Sequence, residues 1–111
     1  MTSFEITIRR AYSYLFEKWG FEFVETIDDY GGNIAIVQSE KLKIRFINDR
    51  ADFFLDISGI EQPAIWIGFY RLMDQLKESG KVNIEYRYAN KIGVISRLLE
   101  QYLSEIQKLF R

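Results

Sequence analysis

The side chains able to do chemistry here are carboxylates, amines, guanidinium groups and phenols, because the chain has no histidine and no cysteine. That absence removes Ser-His-Asp and Cys-His nucleophilic systems, cysteine-ligated clusters and nearly every structural zinc site. It also removes the side chain that most often moves protons near neutral pH. Among the acids, Asp28 and Asp29 fall in one expected turn, and Asp49 and Asp52 bracket another. A Mg²⁺ or Ca²⁺ site needs several converging oxygens, and no EF-hand spacing of ligands occurs. A glycosidase pair needs a cleft, for which a short chain with short loops offers little material. Neither GxGxxG nor a P-loop is present, so Gly31-Gly32 is expected to make a turn and not a phosphate cradle. The expectation is a protein that is not an enzyme and holds no cofactor or metal.

Recognition chemistry is what remains. Aromatic residues make up 16% of the chain; they can fill a core from few residues, and any surplus left outside is a candidate contact surface. Lys43, Arg45, Phe54 and Asp56 fall at alternate positions and are expected to share one strand face, with Ile36 alongside. On that face Phe54 is either covered by Arg45 stacking on it or left for a partner. Trp66 and Tyr70 stand four residues apart. They form an exposed anchor pair or close a seam between helix and sheet. Tyr86, Arg87 and Tyr88 offer stacking groups for nucleic acid, although packing of both tyrosines in the core is the competing expectation. Fifteen basic residues against sixteen acidic ones leave a net charge of −1, which argues against a phosphate-binding surface.

These residues need elements to position them. A chain of 111 residues is expected to form one domain with one core. Thr2 and Glu5 fit a capping box, and Phe4, Ile8, Tyr12, Leu15, Phe16 and Trp19 recur at helical spacing. The expected helix runs from Phe4 to Trp19 and stops at Gly20, with Phe21 folding back on its last turn. Phe21 to Asp28 and Asn33 to Ser39 read as two strands joined through Asp29-Tyr30-Gly31-Gly32. Ile34 and Ile36 oppose Ala35 and Val37 across the sheet, which suggests an interior strand.

Lys41 to Ser58 reads as a second hairpin with Asp49-Arg50 at its tip. An even register then sets Phe46 against Phe53, Ile44 against Leu55 and Leu42 against Ile57, all on one face. On the other face Lys43 meets Asp56, and Arg45 lies opposite Phe54, diagonal to Asp52 and Asp56. Pro63 suits the first turn of a second helix, with Ile65, Phe69, Leu72, Met73 and Leu76 as its stripe and Gly80 as its stop. Residues 82–88 alternate with period two and are a candidate fifth strand. Asn90 is expected to cap a last helix carrying Ile92, Ile95, Leu99, Tyr102, Ile106 and Leu109 on one stripe.

The expected architecture is therefore α+β: an N-terminal helix, a four-stranded antiparallel meander and two C-terminal helices, packed in two layers. No apolar run reaches the ~18 residues that span a bilayer. Met1 to Glu5 lacks the features of a signal peptide, and without cysteine the cytoplasm is the expected compartment.

Gly32 to Glu40, Leu42 to Phe46, Asp49-Arg50 and Phe54 to Ile57 together resemble small uncharacterised bacterial α+β proteins, some of which are regarded as immunity proteins that neutralise a toxin. The likeness covers about the first sixty residues, and it implies a non-catalytic, protein-binding role with a toxin as partner. It carries over no site residues. The partner-binding candidates are thus Lys43, Arg45, Phe54, Asp56, Trp66 and Tyr70. Single-stranded nucleic acid and a second copy, paired along the Ile92 to Leu109 stripe as a homodimer, are the alternative partners.

Overall fold

The computed structural model describes residues 2–29, 31–62 and 64–110. At its start the Glu5 amide donates to Thr2 Oγ1 at 3.1 Å and the Thr2 amide donates to Glu5 Oε1 at 3.0 Å, completing the capping box. The first helix is not continuous. It is split into α1, Ser3–Ala11, and α2, Ser13–Glu17, at Tyr12, whose φ of −124° and ψ of 36° leave the helical region. The break lets the fully buried Tyr12 ring lie 4.8 Å from Phe46, while its hydroxyl donates to the Ile92 carbonyl at 3.0 Å. It also frees the Ala11 carbonyl, because the Leu15 amide bonds Tyr12 instead. Ser96 Oγ fills the vacancy at 2.6 Å. After α2, Gly20 takes φ +72° and the Phe21 amide bonds back to the Leu15 carbonyl at 3.0 Å, as the glycine stop requires.

Four strands follow as an antiparallel meander: β1, Glu22–Asp29; β2, Gly32–Gln38; β3, Leu42–Asp49; β4, Asp52–Gly59. A fifth, β5, is only Ile67–Gly68 and pairs with β4 at Ile57 and Asp56. Helices α3, Phe69–Glu78, and α4, Ile92–Lys108, complete the chain. Alternate sheet residues Ala35, Val37, Leu42, Ile44, Phe46, Leu55 and Ile57 are buried in one core with Ile8, Leu15, Met73, Leu76 and Leu99 from the helices. The helices thus cover one face, and the antiparallel sheet leaves its other face open.

Several expectations are corrected. In the β3–β4 hairpin Phe46 faces Leu55, Ile44 faces Ile57 and Leu42 faces Gly59, a shift of two residues from the expected register. A shift of two keeps every side chain on its face, so hydrophobic alternation alone does not choose between the two. The observed register puts Arg45 directly opposite Asp56 and makes Arg50-Ala51 the tip. Lys43 lies opposite Ser58, not Asp56.

Residues 82–88 form no strand. The free edge of β4 is already occupied, by β5 and by the Asn90 carbonyl, which accepts from the Phe53 amide at 3.0 Å. That bond also draws Asn90 away from the capping role, and Lys91 precedes α4 without a side-chain cap. The helix expected from Pro63 begins at Phe69 instead; Pro63 lies outside the described residues, and Ile65 is exposed rather than part of a stripe.

Candidate protein-binding face

The pairings across the sheet arrange the open face in rows. One row reads Glu25, Ile36, Arg45, Asp56, Gly68 from β1 to β5. Toward the hairpin tips the next row is Ile27, Ile34, Ile47, Phe54, and beyond it lie Gly32, Asp49 and Asp52. On the other side Glu22, Gln38, Lys43 and Ser58 form a polar row.

Arg45 is fixed from two directions. Its Nη2 donates to Asp56 Oδ2 at 2.7 Å and its Nε to the same oxygen at 3.2 Å. Its guanidinium carbon also sits 4.4 Å from the centre of the Trp66 ring. Trp66 reaches this place because the chain from Ile65 runs extended into β5, which sets residue 66 on the same side of the sheet as Asp56. Of the two alternatives for Phe54, coverage by Arg45 is not the one formed, because the guanidinium stacks on Trp66. Phe54 stays 37% exposed, and Ile27 at the far end of its row is 43% exposed. Ile34 and Ile47 between them are half-buried, so a row of four apolar side chains crosses four strands outside the core cluster.

Five of the six candidates, Lys43, Arg45, Phe54, Asp56 and Trp66, thus share one face. Tyr70 does not pair with Trp66, because the two are not on one helix turn. Tyr70 sits in the first turn of α3, where its hydroxyl donates to the Ala89 carbonyl at 2.9 Å and accepts from the Ala89 amide at 3.2 Å. It meets the face only at its margin, in a cleft of ≈ 210 Å³ that it lines with Phe54, Asp56, Arg71 and Asn90. The Tyr70 ring clusters with Tyr86 and Tyr88, at 6.2 and 5.2 Å between ring centres. Tyr86 is half-buried and Tyr88 is 67% exposed, so the expectation that both pack in the core fails for Tyr88.

Sequence reasoning missed Ile27 and Ile47 as members of the face. For Ile47 the signal was parity, two residues from Arg45 on its own strand, whereas the strand of Ile27 had no recognised outward position to count from. Ile27 also lies beyond the register shift between Phe23 and Glu25, where a bulge alters simple counting.

Two other features bear on chemistry. A cleft of ≈ 370 Å³ lies between the start of α1, the tip-side ends of the strands and residues 90–92, with Asn33, Asn48 and Asn90 among its walls. Among the described residues, no group of three or more acidic side chains converges to hold a metal ion, and no helix is long and apolar enough to cross a membrane. Comparison with protein-family models, with curated proteins and with solved structures returns no match, so the functional interpretation of the open face rests on its own geometry.

Proposed function

We propose that this protein is a non-catalytic binding module that holds another protein against the open face of its sheet. The observation that carries this is the row Ile27, Ile34, Ile47 and Phe54, left outside the core beside an Arg45–Trp66 stack. An apolar band spanning four strands is a surface that gains free energy by being covered. Arg45 and Trp66 belong to the residue types that dominate interfaces, and here both are held in place before any partner arrives. The toxin-neutralising role implied by the resemblance to immunity proteins is one form of this function, with a toxin as the covered partner.

The alternative partners find less support. The α4 stripe offered for self-association is spent inside the fold, where Ile95, Leu99, Tyr102 and Ile106 are buried. The tyrosines offered for base stacking donate their hydroxyls to Asp74, a carboxylate that repels phosphate.

Capture from extracts of the source cells tests the function. The purified protein should retain a discrete partner, and Phe54→Asp and Arg45→Ala should each weaken capture about tenfold or more. Both variants should still melt in one cooperative transition, with Arg45→Ala lowered by the loss of its bonds to Asp56. Undiminished capture by both would remove the face from the account.

A further inference from the structure

The charges around the apolar row are uneven. Toward the tips Asp49 and Asp52 lie directly opposite one another, and no ion pair to either is formed among the described residues. On the other side the row is bordered by Glu25 and by Arg45, whose charge is met by Asp56 at 2.7 Å. Each side chain adjoining the row that carries charge and lacks a counter-charge on the face is therefore acidic: Glu25, Asp49 and Asp52. Lys43 lies one row further off, level with Glu22. Arg50 belongs to the tip loop. Like charges set across a strand pair destabilise the hairpin that carries them. A partner's cation lying between Asp49 and Asp52 would relieve that repulsion, whereas a partner's acid would add to it.

A second copy is a poor occupant on the same grounds. Stacked face to face with parallel strands, two copies bring their Asp49–Asp52 rows together. With antiparallel strands, Asp52 is brought toward Asp56. The same antiparallel stacking sets Asp49 toward Arg45, but that charge is already met by Asp56 in its own copy, so neither arrangement supplies an unpaired cation.

Resting on the docking role of this face, we propose that its partner is a protein surface with an apolar ridge flanked by lysine or arginine. The row takes the ridge, and Glu25, Asp49 and Asp52 take the flanking cations. Opposite charge at the rim chiefly steers encounter and selects among partners, while the row supplies the burial.

The test uses the full chain with labelled isoleucine methyl groups, so that Ile27, Ile34 and Ile47 report on the row by NMR. Two synthetic amphipathic helical peptides share one leucine stripe and differ only in flanks of lysine or glutamate. The lysine-flanked peptide is expected to shift the three methyl signals with an affinity at least about tenfold above that of its glutamate twin, and the gap should narrow as salt rises. In the triple variant Glu25→Lys, Asp49→Lys, Asp52→Lys the preference should reverse, a result that unfolding cannot imitate. Equal shifts from both peptides would leave the row as a docking surface and overturn the basic partner. Shifts at the row from neither peptide would overturn the docking role as well.

Discussion

Asp74 on α3 accepts from the Tyr86 hydroxyl at 2.6 Å and from the Tyr88 hydroxyl at 2.6 and 2.7 Å. These two donors hold the Asp74 carboxyl below its ordinary range. Burial, and then the bond to Asp74, pushes the Tyr86 phenol up; for Tyr88 the bond itself is the main cause. A lowered acid adds stability above the unfolded carboxylate value of about 4, and loses it as pH falls through the folded value. The raised phenols add stability below about 10 and lose it as pH rises through their folded values. In Asp74→Asn both phenols should therefore ionise at lower pH, seen as an earlier rise in phenolate absorbance. The melting temperatures of variant and wild type should differ most between about pH 5 and 9 and converge at the extremes. An unchanged phenolate titration would contradict the assignment. Ser96 is the second telling residue. Its hydroxyl serves the Ala11 carbonyl exposed by the break at Tyr12, and Ser96→Ala should cost about 1–2 kcal/mol in chemical denaturation.

At the scale of elements, the β3–β4 hairpin turns on Arg50, which takes φ +59°. Primed turns, which match the twist of the paired strands, require a positive φ at their first loop residue, and glycine meets that at least steric cost. Arg50→Gly should raise stability by about 0.5–1 kcal/mol in denaturant melts, whereas Arg50→Val should lower it by a similar amount or more. The same hairpin shows what its sequence could disclose. Alternation placed Lys43, Arg45, Phe54 and Asp56 on one face correctly, because period two survives any even register. It left the pairing open, since an arginine at the left-handed position gives no warning comparable to Asn-Gly. The break at Tyr12 was equally hidden: no proline or glycine marks it, and its cause is Phe46, Ile92 and Ser96, remote in sequence. The capping box, the Gly20 stop and the α4 stripe were legible because each is set by neighbours within a few residues. Residues 82–88 alternate like a strand, yet β4 had no edge left to give them.

At the scale of the molecule, all the helices lie on one side of a five-stranded sheet, and the other side carries a designed-looking asymmetry: an apolar row, a locked cation and an acidic margin. The edge strand β1 is interrupted by the bulge near Val24, which is 52% exposed, and a bulge there discourages another strand from adding at that edge. Binding through the face and not through the edge is therefore the expected mode. Side-chain oxidative footprinting of the full chain, alone and with its captured partner, tests this most directly. The partner is expected to protect Phe54, Trp66, Ile27 and Ile47 together while Tyr88 and Leu109 oxidise as before. Protection confined to Tyr88 or Leu109, with Phe54 and Trp66 unchanged, would contradict it.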